Sequence, residues 1–355
     1  MKNLILFFLL TFSCSTFAQT IRRCNNNAVV TGINIYSTIQ AAHDAAVAGD
    51  IIYVEPSVTD YGSVDVRKRL TIIGNGYFLD KNTNVPFDQR TTKISSIIFN
   101  NGSANGILTG FELTGGGSVN VNDVNITVTR CKIPGVSFGI STNLVAGQNS
   151  RGNNATITKC IVGMISGVSS TIVTDQRGYN CTITNNIQQS TINSITNSII
   201  ANNVYYLFTT PSGNMMNGVN GCTISNNIYD ARGLTGTIQY VSTGTGNTIS
   251  NNICLDLAGS PSGNGNVSFG NSTTTFLTAN PWSTFTYEDA SFQLAIGSPA
   301  IGIGTGGTNV GAFGGASPYI LSGLPAYPVM TNFTTSGVGN TTTPLQVNVT
   351  VRGNN

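Results

Sequence analysis

Ile183-Thr184-Asn185-Asn186-Ile187, Ile224-Ser225-Asn226-Asn227-Ile228 and Ile249-Ser250-Asn251-Asn252-Ile253 are one phrase written three times. Looser versions precede it: Leu108-Thr-Gly-Phe-Glu-Leu113, Val128-Thr-Arg-Cys-Lys-Ile133 and Ile157-Thr-Lys-Cys-Ile-Val162. Subtracting the leading positions gives steps of 20, 29, 26, 41 and 25 residues. Short strands and turn residues recurring at this period specify a β-solenoid, in which each repeat buries its apolar side only by stacking on its neighbours. The Leu-x-x-Leu-x-Leu spacing and following helix of leucine-rich repeats are absent. The step of 41 predicts two coils, with Ile195-Thr-Asn-Ser-Ile199 as the intermediate strand.

Within the phrase, strand alternation predicts Ile183 and Ile187 inward and Thr182 and Thr184 outward. Asparagine tolerates the left-handed bend that turns one strand into the next side of a coil. Coils stacked about 4.8 Å apart would align Asn186, Asn227 and Asn252, so that their amides hydrogen-bond along the stack as an asparagine ladder. Cys131 and Cys160 fall in the same column of earlier coils, and Cys181 and Cys222 share another. Six cysteines follow residue 14. An even number in an oxidising compartment ordinarily suggests disulfides, but the stack already orders these positions, so free buried thiols are expected. No Cys-x-x-Cys occurs and no zinc site is expected. Outward hydroxyls at Thr127/Thr129, Thr156/Thr158, Thr182/Thr184, Thr223/Ser225 and Thr248/Ser250 would form two columns on one flat face.

Composition agrees with an all-β chain. Of 355 residues only 8% are charged, against about 25% in an ordinary soluble domain, which excludes helical bundles and coiled coils. The net charge is +2, with no basic run beyond Arg67-Lys68-Arg69, so no nucleic-acid or anionic-membrane partner is expected. His43 is the single histidine. It rules out multi-histidine metal sites and is expected to face solvent. Lys2 and Asn3, the apolar run Leu4 to Phe12 and the small residues to Ala18 read as a signal peptide over 1–19. The run is too short to span a bilayer, and Phe12 two positions before Cys14 is wrong for lipid attachment. The expected location is therefore secreted or cell-surface. Ser37-Thr-Ile-Gln40 reads as a capping box opening a short helix that Gly49 stops. Residues 20–325 are assigned to the solenoid and its closing segment, and 326–355 to a cap or appendage in which Leu345 to Arg352 alternates as one strand.

The run from Tyr36-Ser-Thr-Ile-Gln-Ala-Ala42 through Ala48-Gly-Asp-Ile-Ile-Tyr-Val54, then Leu70-Thr-Ile-Ile-Gly-Asn-Gly76, and then the Asn-Asn coils resembles exported proteins of the pectin lyase-like fold. Gly297-Ser-Pro-Ala-Ile-Gly-Ile-Gly304, Gly311-Ala-Phe-Gly-Gly315 and Pro318 to Pro325 are similar to their closing segment. The resemblance implies a right-handed parallel β-helix over roughly residues 35 to 325, with a short N-terminal capping helix and a strand-containing C-terminal cap. It leaves activity open, because the fold carries lyases, hydrolases, esterases, epimerases and adhesins. Lyases of this fold need carboxylates that hold Ca²⁺ and a basic residue, and the hydrolases need clustered aspartates. Here Glu112, Asp123, Asp175, Asp230 and Asp256 come about one per coil. Calcium is thus unsupported and no cofactor is expected. Glu112 should pair with Lys132 across coils, and Asp230 with Arg232 is the best-placed acid and base of a weak set. Tyr205, Tyr206, Tyr229 and Tyr240 are the candidate rings for stacking on sugars. The expectation is a monomeric, exported β-helix that binds polysaccharide along one face. The alternatives are a polysaccharide lyase or glycoside hydrolase, and a non-catalytic adhesin or ice-binding protein.

Overall fold

The computed structural model describes residues 19–139, 152–167, 178–206, 214–230, 239–241, 243–255, 260–269 and 288–353. Residues 1–18 of the expected signal peptide, and Asp175, Arg177, Phe208, Arg232, Asp256 and Trp282, lie outside them. Among these residues the chain forms a parallel β-helix with an 11-stranded and a 15-stranded sheet, and an antiparallel strand pair near its C-terminal end. One coil shows the plan. Thr182–Thr184 lies in the first sheet, Ile187–Gln188 and Ile192–Asn193 in the second, and Ile199–Ala201 returns to the first one layer on. Each coil thus has three sides. Two sides merge into the larger sheet because the longer strands Lys132–Phe138 and Ile161–Ser166 bend across the corner between them.

The core is a set of register-matched columns. Ile52, Ile72, Leu108, Val128, Ile157, Ile183, Ile200 and Ile224 lie one above another, all fully buried. Each such side chain contributes roughly 1.5–3 kcal/mol relative to exposure. The missing coil is Ile200-Ala-Asn-Asn-Val204, which pairs with Ile183 before it and Ile224 after it. Ile195 belongs instead to the interior of the preceding turn, where it is buried. Ala and Val at the flanks hid the phrase, and the true step is only 17 residues, from 183 to 200.

The Asn-Asn pair divides its work. The first residue takes a left-handed backbone at Arg130, Lys159, Asn185, Asn202, Asn226 and Asn251, with φ between 54° and 56°. The second builds the ladder. Asn186, Asn203, Asn227 and Asn252 each accept a hydrogen bond from the backbone of the preceding layer, at 2.8–3.0 Å, and Asn266 continues the column. Each of these amides also donates to a carbonyl of the layer before it. Cys131 and Cys160 stand in the same column with longer versions of these contacts, Cys131 N donating to Cys160 Sγ at 3.4 Å. At another corner Cys181, Ser198, Cys222 and Asn247 repeat the scheme. The six described cysteines are buried free thiols.

Turning at Asn185 and Asn186 resets the strand alternation, so Ile187 points outward, not inward. It shares an outer column with Ile161, Val204, Ile228 and Ile253. That apolar stripe is covered by the chain itself: Phe292, Ala300, Val310, Ala312 and Tyr319 pack on it. The left-handed corner residues hold this covering strap. Asn185 donates to Ala312 O and Gly314 O, Asn251 to Ile303 O, and Arg130 to Leu324 O, while Asn226 accepts from Thr305. Gly311 donates to Asn226 O with φ +83°, and a Cβ there would come within 2.7 Å of Ile228. Buried Asp289 accepts from Ser322 N within the strap and from Asn82 Nδ2 of the loop at 77–82, and Tyr319 hydrogen-bonds Tyr77 of that loop at 2.5 Å.

At the N-terminal end the helix Ile39–Ala45 packs Ile39 and Ala42 onto the first coil. Thr38, not Ser37, is its cap, accepting from Ala41 N at 3.1 Å. Lys68 Nζ closes the other end on the carbonyls of His43, Asp44 and Ala46. His43 is buried, contrary to the sequence expectation. Arg67 N donates to His43 Nε2, which leaves Nδ1 to carry the proton toward Asp44. Its role is to satisfy a backbone donor beneath the helix.

Candidate functional site

Two outer surfaces are candidates for ligand contact, and neither contains the tyrosines singled out from sequence. Tyr205, Tyr206, Tyr229 and Tyr240 are at most 2% exposed. Tyr205 and Tyr229 continue the inward column of Val162 and Gln188, stacked at 4.4 Å, and Tyr240 meets Tyr229 edge-on. Burial pushes the hydroxyls of Tyr205, Tyr229 and Tyr240 above the ordinary tyrosine range. Tyr206 points the other way, under the strap against Phe292. None of the four presents a ring face to a sugar. Asp230 is likewise fully buried, in register with Tyr206 and Leu255. Glu112 does pair with Lys132, at 2.7 Å, and the ammonium lies over the Phe78 ring.

The first surface is the outer side of the 11-stranded sheet. Thr127, Thr156 and Thr182 form one in-register column and Thr129, Thr158 and Thr184 a second, with the hydroxyls of Thr158 and Thr184 3.2 Å apart. The newly placed coil interrupts both columns with Ile199 and Ala201, after which Thr223/Ser225 and Thr248/Ser250 resume them.

The second is a cleft of about 350 Å³ lined by residues that include Arg23, Tyr53, Glu55, Asp88, Arg90 and Tyr327. Arg23 and Tyr53 sit on adjacent strands in direct register. Glu55, just past the end of its strand, receives Arg23 Nε at 2.7 Å and Asn25 Nδ2 at 2.7 Å. Arg90 grips Asp88 with two nitrogens, at 2.9 and 2.5 Å. This Arg90 hydrogen bond is the main reason the Asp88 carboxyl lies below the usual aspartate range. Asn75 Nδ2 holds the loop by its carbonyls at Asp88 and Arg90. Tyr327, returning from beyond the strap, meets Tyr53 edge-on at 5.7 Å and donates to Gly74 O. Both arginine side chains remain about half exposed, at 51% and 53%. The cleft therefore combines aromatic surface with two charge-balanced pairs of strong donors and acceptors. Among the described residues no group of three His, Cys, Asp or Glu could hold a metal ion.

No local sequence signal assembles this cleft, since Tyr53 and Tyr327 are joined only by closure of the strap. The nearest cue is the acid-x-Arg pattern, which occurs at Asp65-Val-Arg67 and Asp88-Gln-Arg90 as well as at Asp175-Gln-Arg177 and Asp230-Ala-Arg232. In both described examples the two side chains pair with each other. No protein-family model matches the chain, and no curated protein is significantly similar to it.

Proposed function

We propose that this is an exported β-helix protein of the pectin lyase-like type that binds carbohydrate non-covalently. The Arg23–Glu55 and Arg90–Asp88 cleft serves as the recognition site, and the hydroxyl face three strands further along the same sheet as a track. One observation carries the reading: the Tyr53 and Tyr327 rings lie beside two ion pairs whose charges cancel. Sugars are bound in this way, with apolar ring faces on aromatic surface and hydroxyls bridging charged donors and acceptors. Balanced charge favours a neutral saccharide over a polyanion. Both carboxylates are engaged by guanidinium groups, and Asp88 is held ionised and so is not poised to deliver a proton to a glycosidic oxygen. Binding without turnover follows, and no metal is invoked. The break at Ile199 and Ala201 weighs against the extended regular array that an ice-binding face requires. Export is supported by the charged, apolar and small pattern of residues 2–18.

The test is a glycan array followed by calorimetry on the hits, with Tyr327→Ala and Arg90→Ala as variants and circular dichroism as a fold control. Neutral oligosaccharides should bind, and each variant should weaken binding about tenfold, near 1.4 kcal/mol. Binding that both variants leave intact, or release of reducing ends from a bound polymer, would overturn the reading.

A further inference from the structure

The strand pair Val329–Thr335 and Val347–Arg352 projects with an open edge. All six residues of the second strand are exposed. The first strand has a neighbour: Phe87 N donates to Met330 O at 2.7 Å, and the rings of Phe87 and Phe333 meet at 6.3 Å. Among the described residues no strand pairs with the other edge of Val347–Arg352; only its Arg352 end approaches the body, lining a cleft with Thr83, Asn84 and Phe313.

Antiparallel pairing determines which backbone groups lie on that edge. Ser336 N donates to Gln346 O, and Ser336 lies opposite Gln346 in the hydrogen-bonded register. Bonding alternates along an antiparallel strand. Gln346, Asn348 and Thr350 thus turn toward the hairpin partner, while Val347, Val349 and Val351 turn their N–H and C=O groups outward. Their side chains share one face with Phe333, and Val347, Val349, Val351 and Phe333 are 48%, 50%, 60% and 39% exposed. A two-stranded sheet with one bare apolar face is marginal in water. Edges are usually guarded by charged side chains, proline or a bulge; Val347 to Val351 carries none of these, the one charge being Arg352 at the strand's end, and the register shift lies on the other strand, between Met330 and Asn332.

We infer that Val347–Arg352 pairs antiparallel with the same strand of a second copy, making the protein a homodimer rather than the monomer expected from sequence. The occupant follows from self-complementarity. The segment Val347-Asn-Val-Thr-Val351 is symmetric about Val349 in its alternation. A two-fold axis there sets Val349 against Val349 of the second copy, Val347 against Val351, and Asn348 against Thr350. Valines meet valines on one face, and an amide meets a hydroxyl on the other. Every outward N–H and C=O of the three valines finds its counterpart. The charges fit as well: Arg352 falls opposite Gln346, so no like charges meet. An isologous contact needs this self-matching, and the result is a four-stranded sheet with a continuous apolar side. Two short paired strands bury less than the roughly 800 Å² per partner of a standard interface, so dissociation is expected on the order of micromolar.

Sedimentation velocity of the purified chain from about 1 to about 200 µM should show monomer giving way to dimer by mass action. Val349→Lys puts two like charges face to face at the axis, and Val349→Glu does the same with the opposite sign. Each variant alone should weaken the dimer at least tenfold, and an equimolar mixture should restore association as a heterodimer. Circular dichroism establishes that each variant folds. A chain that stays monomeric throughout, or a dimer that neither variant disturbs, overturns the inference; the first result leaves the strand edge to some other partner.

Discussion

Replacing Asn227 with alanine removes the middle rung of the asparagine ladder. The side chain is fully buried. Its Oδ1 accepts from Asn203 N at 2.8 Å and Asn203 Nδ2 at 3.0 Å, and its Nδ2 donates to Ile200 O at 2.9 Å and Asn252 Oδ1 at 3.0 Å. Alanine strips Asn203 N of its acceptor and Ile200 O of this donor, in an interior that water does not reach. A buried orphan backbone group costs about 1–3 kcal/mol, and each further hydrogen bond about 1 kcal/mol. With one orphan and three further bonds the sum is about 4–6 kcal/mol, a large part of the roughly 5–15 kcal/mol that holds a domain together. Urea unfolding followed by far-ultraviolet circular dichroism should show a correspondingly lower midpoint. Thr182→Ala, on the outer face of the same stack, should stay within about 0.5 kcal/mol of the parent. A loss of under about 1 kcal/mol in Asn227→Ala would mean that the ladder adds nothing to stacking, and would refute the reasoning.

Three further outcomes follow from the same geometry. Cys160 occupies a ladder position with long sulfur contacts, so Cys160→Asn should extend the ladder and raise stability by about 0.5–1.5 kcal/mol in the same urea assay; a drop of that size would show that the corner admits only sulfur. The thiols of Cys24, Cys181 and Cys254 are pushed up to about 12, chiefly by burial, so a thiol reagent at pH 8 should label none of them in the native state and all of them in denaturant, and rapid native labelling would contradict the packing. Burial raises the Asp289 carboxyl above the usual aspartate value despite its hydrogen bonds; a raised folded value gives stability that is complete below the unfolded pKa of about 3.9 and is lost as pH rises through the folded one. Carbon-13 NMR of that carboxyl should show a midpoint above 3.9, and Asp289→Asn should remove this contribution to the pH dependence; a midpoint at or below 3.9 would reverse the sign.

The solenoid was legible because its information is local. Each Ile-x-Asn-Asn phrase spells out a strand, a left-handed corner and an inward amide, and repetition supplies the partners. Gly311 to Gly315 resembled a closing segment and lie instead as a strap along the outer stripe of the coils. Reading failed where a neighbouring turn decides orientation. Ile187 looked like a core residue and is one, but of the outer layer, because the corner at Asn185 reverses its side. Tyr205 and Tyr229 looked like surface rings, and register with Val162 and Gln188 places them inside. His43 looked exposed on a short helix, and the backbone of Arg67 draws it under.

Sequence by itself determined the parallel coils and their main columns, since period, alternation and corner chemistry act over a few residues. Tertiary structure alone decided which side stays open and where charged and aromatic groups converge. Those depend on a strap that returns from residues 289–325 to lie across coils 52 to 194 residues earlier and carries Tyr327 back to Tyr53. No short-range pattern encodes such a meeting, because it is set by which apolar stripe the stacked coils leave uncovered.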